Sequence, residues 1–401
     1  MLSASARPFI HASVPVLREH GEAITRRFYQ RMFEAHPELH NVFNLSNQAQ
    51  GAQPQALAMA VYAYAANIDQ PAALEPVLSR IAHKHASVGI TPAQYTIVGH
   101  HPLGAIGDIL GAAATPALIA AWDEAYWLLA LELVAREARL YQAAGFDPHH
   151  WRTVRVVERV QETPELVSLH LAALPGEALP TFQPGQYLSV AFDIEALHIR
   201  QLRQYSLSGQ AGASTWRLTI KRESGDSTHP AALLSHRLQA VEVGERLQVS
   251  APFGDFVRSP RAAQAPSVLV SAGVGITPVM SMLYALLEQS QPVIFAYAAR
   301  DGQSAPFQAE LSALAQQYPQ LRLWRCFEKP GQEDHLGVTH EQEGTLSFEG
   351  LDQALIAEAD AYLCGSIQFM KVQRDALKSL GMAGERIHYE VFGPDLFQHL
   401  S

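Results

Sequence analysis

The sequence predicts a multidomain protein with an all-α domain, an antiparallel β-barrel and an α/β domain built on a parallel sheet. Up to about residue 143, apolar residues recur every three or four positions, as a buried helix face requires. From Trp151, polar and apolar residues alternate, which indicates strands. From about residue 263, strand-like and helix-like segments alternate, which is typical of a parallel sheet covered by helices. We place the domains at residues 1–147, 148–262 and 263–401.

Length and composition agree with this division. A chain of 401 residues is long enough for two or three domains, each with its own core. The net charge of −10 argues against a nucleic-acid partner, whose phosphates require a basic face. Two cysteines are too few for a disulfide framework and suit a reducing cytoplasm. The first seven residues lack the apolar run of a signal peptide. Residues 262–287 contain no charge, but glycines and prolines interrupt them, so we expect no integral membrane segment.

Three helices of the first domain place polar side chains on apolar faces. Gln53 lies one turn before Leu57 on the stripe that continues with Val61, Tyr64 and Ile68. In the next helix the period puts His85 on the apolar face, whereas His83 points away from it. Thr91-Pro92 predicts a helix start with Tyr95 in its first turn, and the last helix puts Glu137 on the stripe with Trp122, Tyr126, Leu129, Leu133 and Leu140.

Each of these residues alone has an ordinary interpretation. A lone inward histidine is usually a hydrogen-bonded core residue, Gln53 could be a solvated helix end, and Glu137 could lie at the rim. Together, an inward histidine, glutamine and aromatic residue are what a haem pocket needs. Imidazole ligates the iron on one side, and polar donors stabilise bound oxygen on the other.

The middle domain predicts a small closed barrel. Strands are expected at residues 153–160, 166–172, 186–192, 204–208, 216–222 and 246–250, with one helix at 231–239. The stretch Arg203-Gln204-Tyr205-Ser206 offers a cation, a flat ring and a hydroxyl. A flavin needs these for its diphosphate, its ring face and its edge, although an ordinary barrel strand explains Arg-x-Tyr-Ser alone equally well.

The third domain predicts strands at residues 267–271, 293–298, 321–327, 361–364 and 387–391, and helices at 278–288, 306–317 and 369–380. Gly273-Val274-Gly275 ends the first strand, and Thr277-Pro278 is predicted to cap the first helix. Backbone amides at such a helix start bind anions. A lone Gly-x-Gly is weak evidence for a nucleotide site.

Specific motifs in all three domains resemble a known family. Residues 1 to about 147 are similar to the globin domain of bacterial flavohaemoglobins, at residues 27–33, 36–44, 46–48, 81–85, 95–99 and 136–138. The rest resembles the FAD/NAD(P) modules of the ferredoxin-reductase family. The stretches that carry this resemblance are Pro184-Gly185-Gln186-Tyr187, Arg203-Gln204-Tyr205-Ser206, Ser271-Ala272-Gly273-Val274-Gly275-Ile276-Thr277-Pro278 and Tyr362-Leu363-Cys364-Gly365.

For the globin domain, the resemblance implies a role for each matching residue. His85 would be the proximal iron ligand, with Tyr95 and Glu137 hydrogen-bonded around it; an oriented imidazole is a stronger donor. Phe43 would pack against the porphyrin and Lys84 would lie near the flavin side. The distal side would be formed by Tyr29, Gln53 and Leu57.

For the reductase part, the resemblance implies that FAD contacts Tyr187, Arg203, Gln204, Tyr205 and Ser206. The flavin diphosphate would lie at the N-terminus of a helix that follows a small-residue turn, to which Ser235 is assigned. The nucleotide would contact the stretch from Ser271 to Pro278. The terminal motif Val391-Phe392-Gly393-Pro394 would cover the flavin, with Glu390 between flavin and haem. His236, Ser366 and Gln368 depart from the family pattern.

The resemblance implies a nitric oxide dioxygenase that contains haem b and FAD and uses NADH or NADPH. NAD(P)H would reduce FAD, FAD would reduce haem, and oxygen-bound ferrous haem would oxidise nitric oxide to nitrate. Its partners would be small molecules only, and we expect a cytoplasmic monomer. A haem-based sensor of oxygen or nitric oxide and a reductase without haem stay open. Arg300 could meet the 2′-phosphate of NADPH, but Asp301 beside it would repel that group.

Overall fold

The computed structural model describes residues 2–41, 51–194, 199–223 and 230–393. Its first part is helical, as predicted. The helices are α1 (Arg7–Ala35), α2 (Ala52–Ala66), α3 (Pro71–Val88), α4 (Pro92–Leu110) and α5 (Pro116–Ala144). A short 3-10 turn, Pro37–Asn41, follows α1. None of the described helices combines the length and apolar composition that a membrane span requires.

Proline and glycine mark the ends of the helices that carry the predicted site. Helix α4 begins at Pro92 after Thr91, as predicted, and the Thr91 N–H donates to Gln94 Oε1 over 2.7 Å. Helix α5 begins at Pro116, where the Leu118 N–H donates to Thr115 Oγ1 over 3.3 Å. Helices α3 and α5 end at glycines with positive φ, Gly89 and Gly145, which close the last turn without steric strain.

The middle part is a six-stranded antiparallel barrel, as predicted. Its sheet order is β4-β3-β6-β1-β2-β5, with β1 (Arg152–Thr163), β2 (Leu166–Ala173), β3 (Tyr187–Ile194), β4 (Ile199–Ser206), β5 (Trp216–Lys221) and β6 (Arg246–Val249). An isolated bridge between Leu207, just after β4, and Leu218 of β5 brings the two edge strands together. Strand β4 begins five residues earlier than predicted, and helix α6 (Pro230–Gln239) packs beside β5.

The last part is a parallel sheet of order β10-β9-β8-β7-β11-β12, with helices between its strands. The strands are β7 (Ser267–Ala272), β8 (Val293–Ala299), β9 (Leu321–Phe327), β10 (Gln342–Glu343), β11 (Asp360–Cys364) and β12 (Ile387–Glu390). The helices are α7 (Ile276–Leu287), α8 (Gln308–Gln317), α9 (Gln353–Glu358) and α10 (Ile367–Ser379). Helix α7 begins at Ile276 after Gly275, so the prediction that Thr277-Pro278 caps it is wrong. Thr277 lies inside the first turn and donates its hydroxyl to the Val274 carbonyl over 2.9 Å.

An aromatic cluster joins the helical part to the barrel. Phe146, just after α5, lies with its ring centroid 5.8 Å from that of Phe253 and 6.1 Å from that of Trp151. Tyr141 of α5 completes the cluster at 5.9 Å from Phe146. Edge-to-face packing of this kind stabilises an interface beyond the area it buries.

Candidate functional site

Three helices converge on His85 and hold one of its ring nitrogens. His85 Nδ1 lies 2.8 Å from Glu137 Oε1 and 2.8 Å from the Tyr95 hydroxyl. Tyr95 also donates to Glu137 Oε1 over 2.5 Å. The carboxylate fixes the proton on Nδ1, so Nε2 keeps the lone pair that a metal ion requires. The prediction that these three residues come together is borne out by their geometry.

Burial keeps the Tyr95 phenol of this network protonated. Glu137 is only 2% exposed, and the Tyr126 hydroxyl donates to the Tyr95 carbonyl over 2.5 Å, which fixes the start of α4. Burial, followed by the charge of Glu137, raises the pKa of Tyr95 well above its ordinary value, so the phenol is a permanent donor. Among the described residues, no group of three or more His, Cys, Asp or Glu side chains could hold a metal ion. A single oriented imidazole fits a haem iron, whose remaining nitrogen ligands would be supplied by the porphyrin.

The predicted distal residues lie on α1 and α2. Tyr29 is buried on α1 between Phe28 and Phe33, at ring-centroid distances of 4.7 and 6.0 Å. Gln53 lies in the first turn of α2, and its Oε1 is buried without a hydrogen-bond partner among the described residues. Leu57, one turn later, packs against the helical core. Buried polar atoms are nearly always satisfied, so the Gln53 side chain fits a pocket that receives a ligand. Phe43 lies outside the described residues.

Strand β4 and its neighbour carry the predicted flavin contacts. Arg203 is largely buried, and its Nη2 has no partner within the described ranges, whereas Nη1 donates to the Leu202 carbonyl over 2.9 Å. Burial lowers the pKa of Arg203 and raises that of the Tyr205 phenol. An arginine pairs strongly with a phosphate group, so this nitrogen fits a diphosphate. Tyr187 and Ser206 are buried and face each other across β3 and β4.

Two predicted flavin contacts have other partners in the structure. Ser235 lies in the second turn of α6 and accepts the Glu223 N–H over 3.1 Å. Ser235 therefore lies within the helix, which begins at Pro230, and its contact with the flavin diphosphate stays a prediction. Gln204 Nε2 donates to Ser87 Oγ of helix α3 over 2.6 Å, so this side chain links the barrel to the helix of His85.

The turn between β7 and α7 has the geometry of an anion site. Gly273 has φ +54°, and residues 273–275 form a 3-10 turn before Ile276. Backbone amides at the start of a helix are a usual site for an anion. A side chain on Gly275 would overlap the Cys364 carbonyl oxygen and lie 2.6 Å from its carbon. Gly275 is therefore required for close contact with β11.

The other predicted nucleotide residues line the same edge of the sheet. Ser271 Oγ is buried at the carboxyl end of β7 and has no partner in the part of the chain that the structure describes. Ala272 precedes the turn, and Val274 lies within it. Pro278 is buried inside α7 with Ile276 and Thr277. Ligands of open parallel sheets bind at this edge.

Helix α3 contacts both other parts of the molecule through one face. Lys84 Nζ donates to the Gly393 carbonyl over 2.5 Å, and Arg80 lies over the Tyr389 ring at 4.9 Å. His83 Nδ1 accepts the Gly254 N–H over 2.9 Å, so the residue predicted to point away from the helical core faces the barrel. With Ser87, these residues follow an i, i+3, i+4, i+7 spacing. From that spacing, the face of α3 that contacts the other two parts could have been predicted.

The end of β12 lies beside this face. Glu390 is 8% exposed. The pKa of the Cys364 thiol is raised mainly by burial and secondly by the charge of Glu390. Val391 is buried, whereas Phe392 is 47% exposed, as a ring that covers a bound group would be. Gly393 accepts from Lys84, and Pro394 lies outside the described residues.

Comparisons with known proteins agree with this architecture. The globin family profile matches residues 26–133, and the oxidoreductase NAD-binding domain profile matches residues 269–375. A flavohemoprotein of Chromobacterium violaceum is 46% identical over 399 residues, covering 98% of each chain. One of Rhizobium meliloti is 42% identical, covering 99% of this chain and 100% of its own. A flavohemoglobin crystal structure from Malassezia yamatoensis, with bound FAD and haem, superposes with a TM-score of 0.85 at 30% identity, covering 98% of this chain and all of that one. The chain belongs to the flavohemoprotein family.

Proposed function

We propose that this protein is a nitric oxide dioxygenase that holds haem b and FAD and takes electrons from NADH or NADPH. One NAD(P)H supplies the electrons for two molecules of nitric oxide, which combine with two of oxygen to give two nitrates, NAD(P)⁺ and one proton. The FAD/NAD-binding domain of a Vibrio cholerae nitric oxide dioxygenase supports the proposal, with 33% identity and a TM-score of 0.55 over 61% of this chain. When bound, haem supplies the iron for oxygen, FAD takes up hydride and releases single electrons, and the nicotinamide supplies the hydride.

The observation that carries the proposal is the triad of His85, Glu137 and Tyr95. A ligand that only had to bind oxygen reversibly would not require a buried carboxylate on the imidazole. Glu137 accepts the His85 Nδ1 proton at 2.8 Å and so increases the electron donation of Nε2. Tyr95 donates to the same carboxylate oxygen and holds it in place. A proximal imidazole that donates electron density strongly favours a reaction of bound oxygen over its reversible storage.

On the distal side, Tyr29 and Gln53 provide a hydroxyl and an amide for a polar ligand. Bound oxygen carries partial negative charge and gains from a donated hydrogen bond, whereas nitric oxide gains less. A buried phenol therefore favours occupancy by oxygen, which must be present before nitric oxide reacts. Leu57, which packs against the helical core, would form the apolar side of the same pocket.

The reductase residues deliver electrons to the helix of His85. The Gly273 turn receives the nucleotide phosphates through backbone amides, and Arg203 receives the flavin diphosphate. Lys84 and Gln204 tie helix α3 to the terminal segment and to strand β4. These contacts hold the flavin and haem sites in one fixed relation. Since the electron donor is a cytoplasmic nucleotide, we place the protein in the cytoplasm, as a monomer.

Tyr29→Phe and Gln53→Leu test the proposal, alone and combined. A hydrogen bond to a charged acceptor is worth about 1.5–3 kcal/mol, so loss of the donor should raise the oxygen dissociation rate by roughly ten- to a hundredfold. Nitric oxide consumption at limiting oxygen should fall with it, while flavin reduction by NADH stays at the wild-type rate. The double variant shows whether Gln53 replaces Tyr29 as donor. Unchanged oxygen release in the double variant, or wild-type protein that binds nitric oxide without consuming NADH, would favour a sensor instead.

A further inference from the structure

One buried arginine of the barrel is paired with a carboxylate of the parallel-sheet part. Arg217 lies on β5 and is 9% exposed. Its Nη1 donates to both carboxylate oxygens of Glu310, over 3.2 Å to Oε1 and 2.9 Å to Oε2. Glu310 lies in the first turn of α8, so this ion pair joins the two parts. An arginine that is paired with a carboxylate is held by direction as well as by charge.

The same guanidinium is bonded to the segment that follows the flavin strand. Nη2 donates to the Ser208 carbonyl over 2.7 Å, and the Ser208 N–H donates to the Arg217 carbonyl over 2.9 Å. Ser208 comes two residues after Ser206, which ends β4 and is a predicted flavin contact. Nη2 also donates to the Tyr284 hydroxyl over 3.3 Å, on the helix α7 that begins at the predicted phosphate turn. Arg217 therefore connects the end of the flavin strand to two helices of the parallel-sheet part.

Phe307 lies beside the guanidinium in a strained backbone conformation. The Arg217 Cζ is 4.5 Å from the centroid of the Phe307 ring, which is buried. Phe307 precedes α8 and has φ +61°, and no other non-glycine residue in the described ranges has a positive φ. A bulky side chain keeps this conformation only where its surroundings fix it, and strain of this kind is concentrated at functional sites. The cation–π contact and the ion pair at Glu310 both fix the start of α8.

Next to this ion pair, the two parts are not packed against each other. A cavity of about 580 Å³ lies between the hairpin of β1 and β2 and the start of α8. Glu162 and His170 line it from the barrel, and Gln303 lines it from the parallel-sheet part. An open cavity provides no contact between its walls. At this place the Arg217 pair, and not close packing, joins the two parts.

We propose that Arg217 is a positioning residue for the transfer of hydride from the nicotinamide to the flavin. In that step the carbon–hydrogen bond of the dihydronicotinamide breaks, and the hydrogen passes to the flavin with both electrons. Arg217 fixes the separation of the two cofactor sites, since it is bonded to the end of the flavin strand and to Glu310. A displacement of about 1 Å in such a site can slow a reaction by roughly a hundredfold. The inference rests on the proposed function in one respect, namely that a nicotinamide nucleotide reduces the flavin.

Anaerobic stopped-flow reduction of the purified full-length protein by NADH tests the proposal without nitric oxide or oxygen. Glu310→Gln removes the charge that holds Arg217, so the flavin reduction rate at saturating NADH should fall by roughly ten- to a hundredfold. The NADH concentration at half the maximal rate should change by less than about twofold, because the nucleotide itself is not contacted. NADH deuterated at the transferred position should show an isotope effect at least as large as with the wild type, since the hydride step is the one slowed. After photochemical reduction of the flavin, electron transfer to haem should keep the wild-type rate.

A second buried ion pair provides the matched control. Arg325 is 6% exposed, and its Nη2 donates to Glu341 Oε1 over 2.8 Å, but both residues belong to the parallel-sheet part. Glu341→Gln should therefore leave the flavin reduction rate unchanged. Arg217→Gln combined with Glu310→Gln should be no slower than the slower single variant, because both changes remove the same contact.

Hydrogen exchange of the protein without nucleotide gives a readout that does not depend on turnover. The Ser208 N–H is bonded to the Arg217 carbonyl, and the Leu311 N–H is bonded to the Phe307 carbonyl over 2.8 Å. Glu310→Gln should speed the exchange of both amides by at least roughly tenfold, because the junction opens more often. Glu341→Gln should leave both unchanged. If Glu310→Gln does not fold, Glu310→Asp, which keeps the charge but shortens the side chain, should show the same changes.

Three results would overturn the proposal. They are a wild-type reduction rate in Glu310→Gln, an equal slowing in Glu341→Gln, and a reduction that is slow but has lost its isotope effect. A wild-type protein that reduces its flavin with NADH but does not consume nitric oxide would contradict the proposed function and leave this inference intact. A flavin that NADH does not reduce would contradict both.

Discussion

A methyl group at Gly275 tests how the turn between β7 and α7 is held against β11. The added Cβ would overlap the Cys364 carbonyl oxygen and lie 2.6 Å from its carbon and 2.8 Å from the Gly365 nitrogen. All three neighbours are backbone atoms, so no side chain can rotate away and the turn must move away from the end of β11. Overpacking of this kind costs about 1–3 kcal/mol, which lowers the melting temperature of a domain of this size by about 2–12 °C.

Two other glycines provide matched controls for Gly275→Ala. Gly273 has φ +54° but open space around its Cβ position, so Gly273→Ala introduces only backbone strain, about 1–2 kcal/mol. Gly107 lies inside helix α4 with nothing within 4 Å of the added carbon. Gly107→Ala should therefore be neutral or stabilising by up to about 1 kcal/mol.

Thermal denaturation followed by flavin fluorescence, together with stopped-flow reduction of the flavin by NADH, measures both consequences. Gly275→Ala should melt earliest of the three variants and reduce its flavin more slowly, since Cys364 and Gly365 belong to a stretch that resembles the FAD/NAD(P) modules. A Gly275→Ala protein as stable as the wild type, with normal flavin reduction, would show that the turn yields easily and that the contact is unimportant.

Tyr95→Phe removes the hydroxyl that donates to Glu137, a hydrogen bond worth about 1.5–3 kcal/mol. Melting followed by haem absorbance should therefore occur at a lower temperature than in the wild type. An unchanged melting curve would contradict the role of the triad. Lys84→Met removes the side chain that donates to the Gly393 carbonyl. Stopped-flow spectra should then show normal flavin reduction but slower haem reduction. Equal slowing of both steps would contradict a specific role of Lys84 in electron transfer to haem. Burial raises the pKa of Tyr95 and Tyr126 above the ordinary value of about 10. Below that pH both folded and unfolded phenols stay protonated; above it only the unfolded chain ionises. The free energy of unfolding should therefore fall above about pH 10, by up to about 1.4 kcal/mol per pH unit for each tyrosine. A melting temperature that stays constant from about pH 8 to pH 11 would refute this prediction.

The inward residues of the helical part could be predicted because helical period alone determines which face a residue occupies. His85 and Glu137 lie on apolar stripes, and burial of those stripes brings the two side chains to 2.8 Å. The same period could not say what covers the opposite face. His83 faces Gly254, which lies in another part of the molecule and has no periodic relation to it.

Other contacts depend on chain segments whose approach no local pattern encodes. The seating of Asp334 over Gly302 requires the loop after β9 to fold back, and Gly275 is required by a strand about ninety residues away. Ser235 was assigned from a resemblance at a divergent segment, and the structure places it inside a helix whose first residue, Pro230, is a typical helix start. The start of α7 was misplaced because a 3-10 turn precedes it.

The packing of Phe146 between Tyr141, Trp151 and Phe253 bears on the speed of electron delivery. A short connection between two domains often acts only as a flexible link. Electron transfer between the domains then has to wait until they move into contact. Here the connection is itself part of the interface, since Phe146 is 9% exposed and its N–H donates to the Tyr141 carbonyl over 3.0 Å. The helical part and the barrel therefore pack directly against each other through Phe146. Electron delivery to the helix of His85 should be insensitive to solvent viscosity, because no diffusive search precedes it.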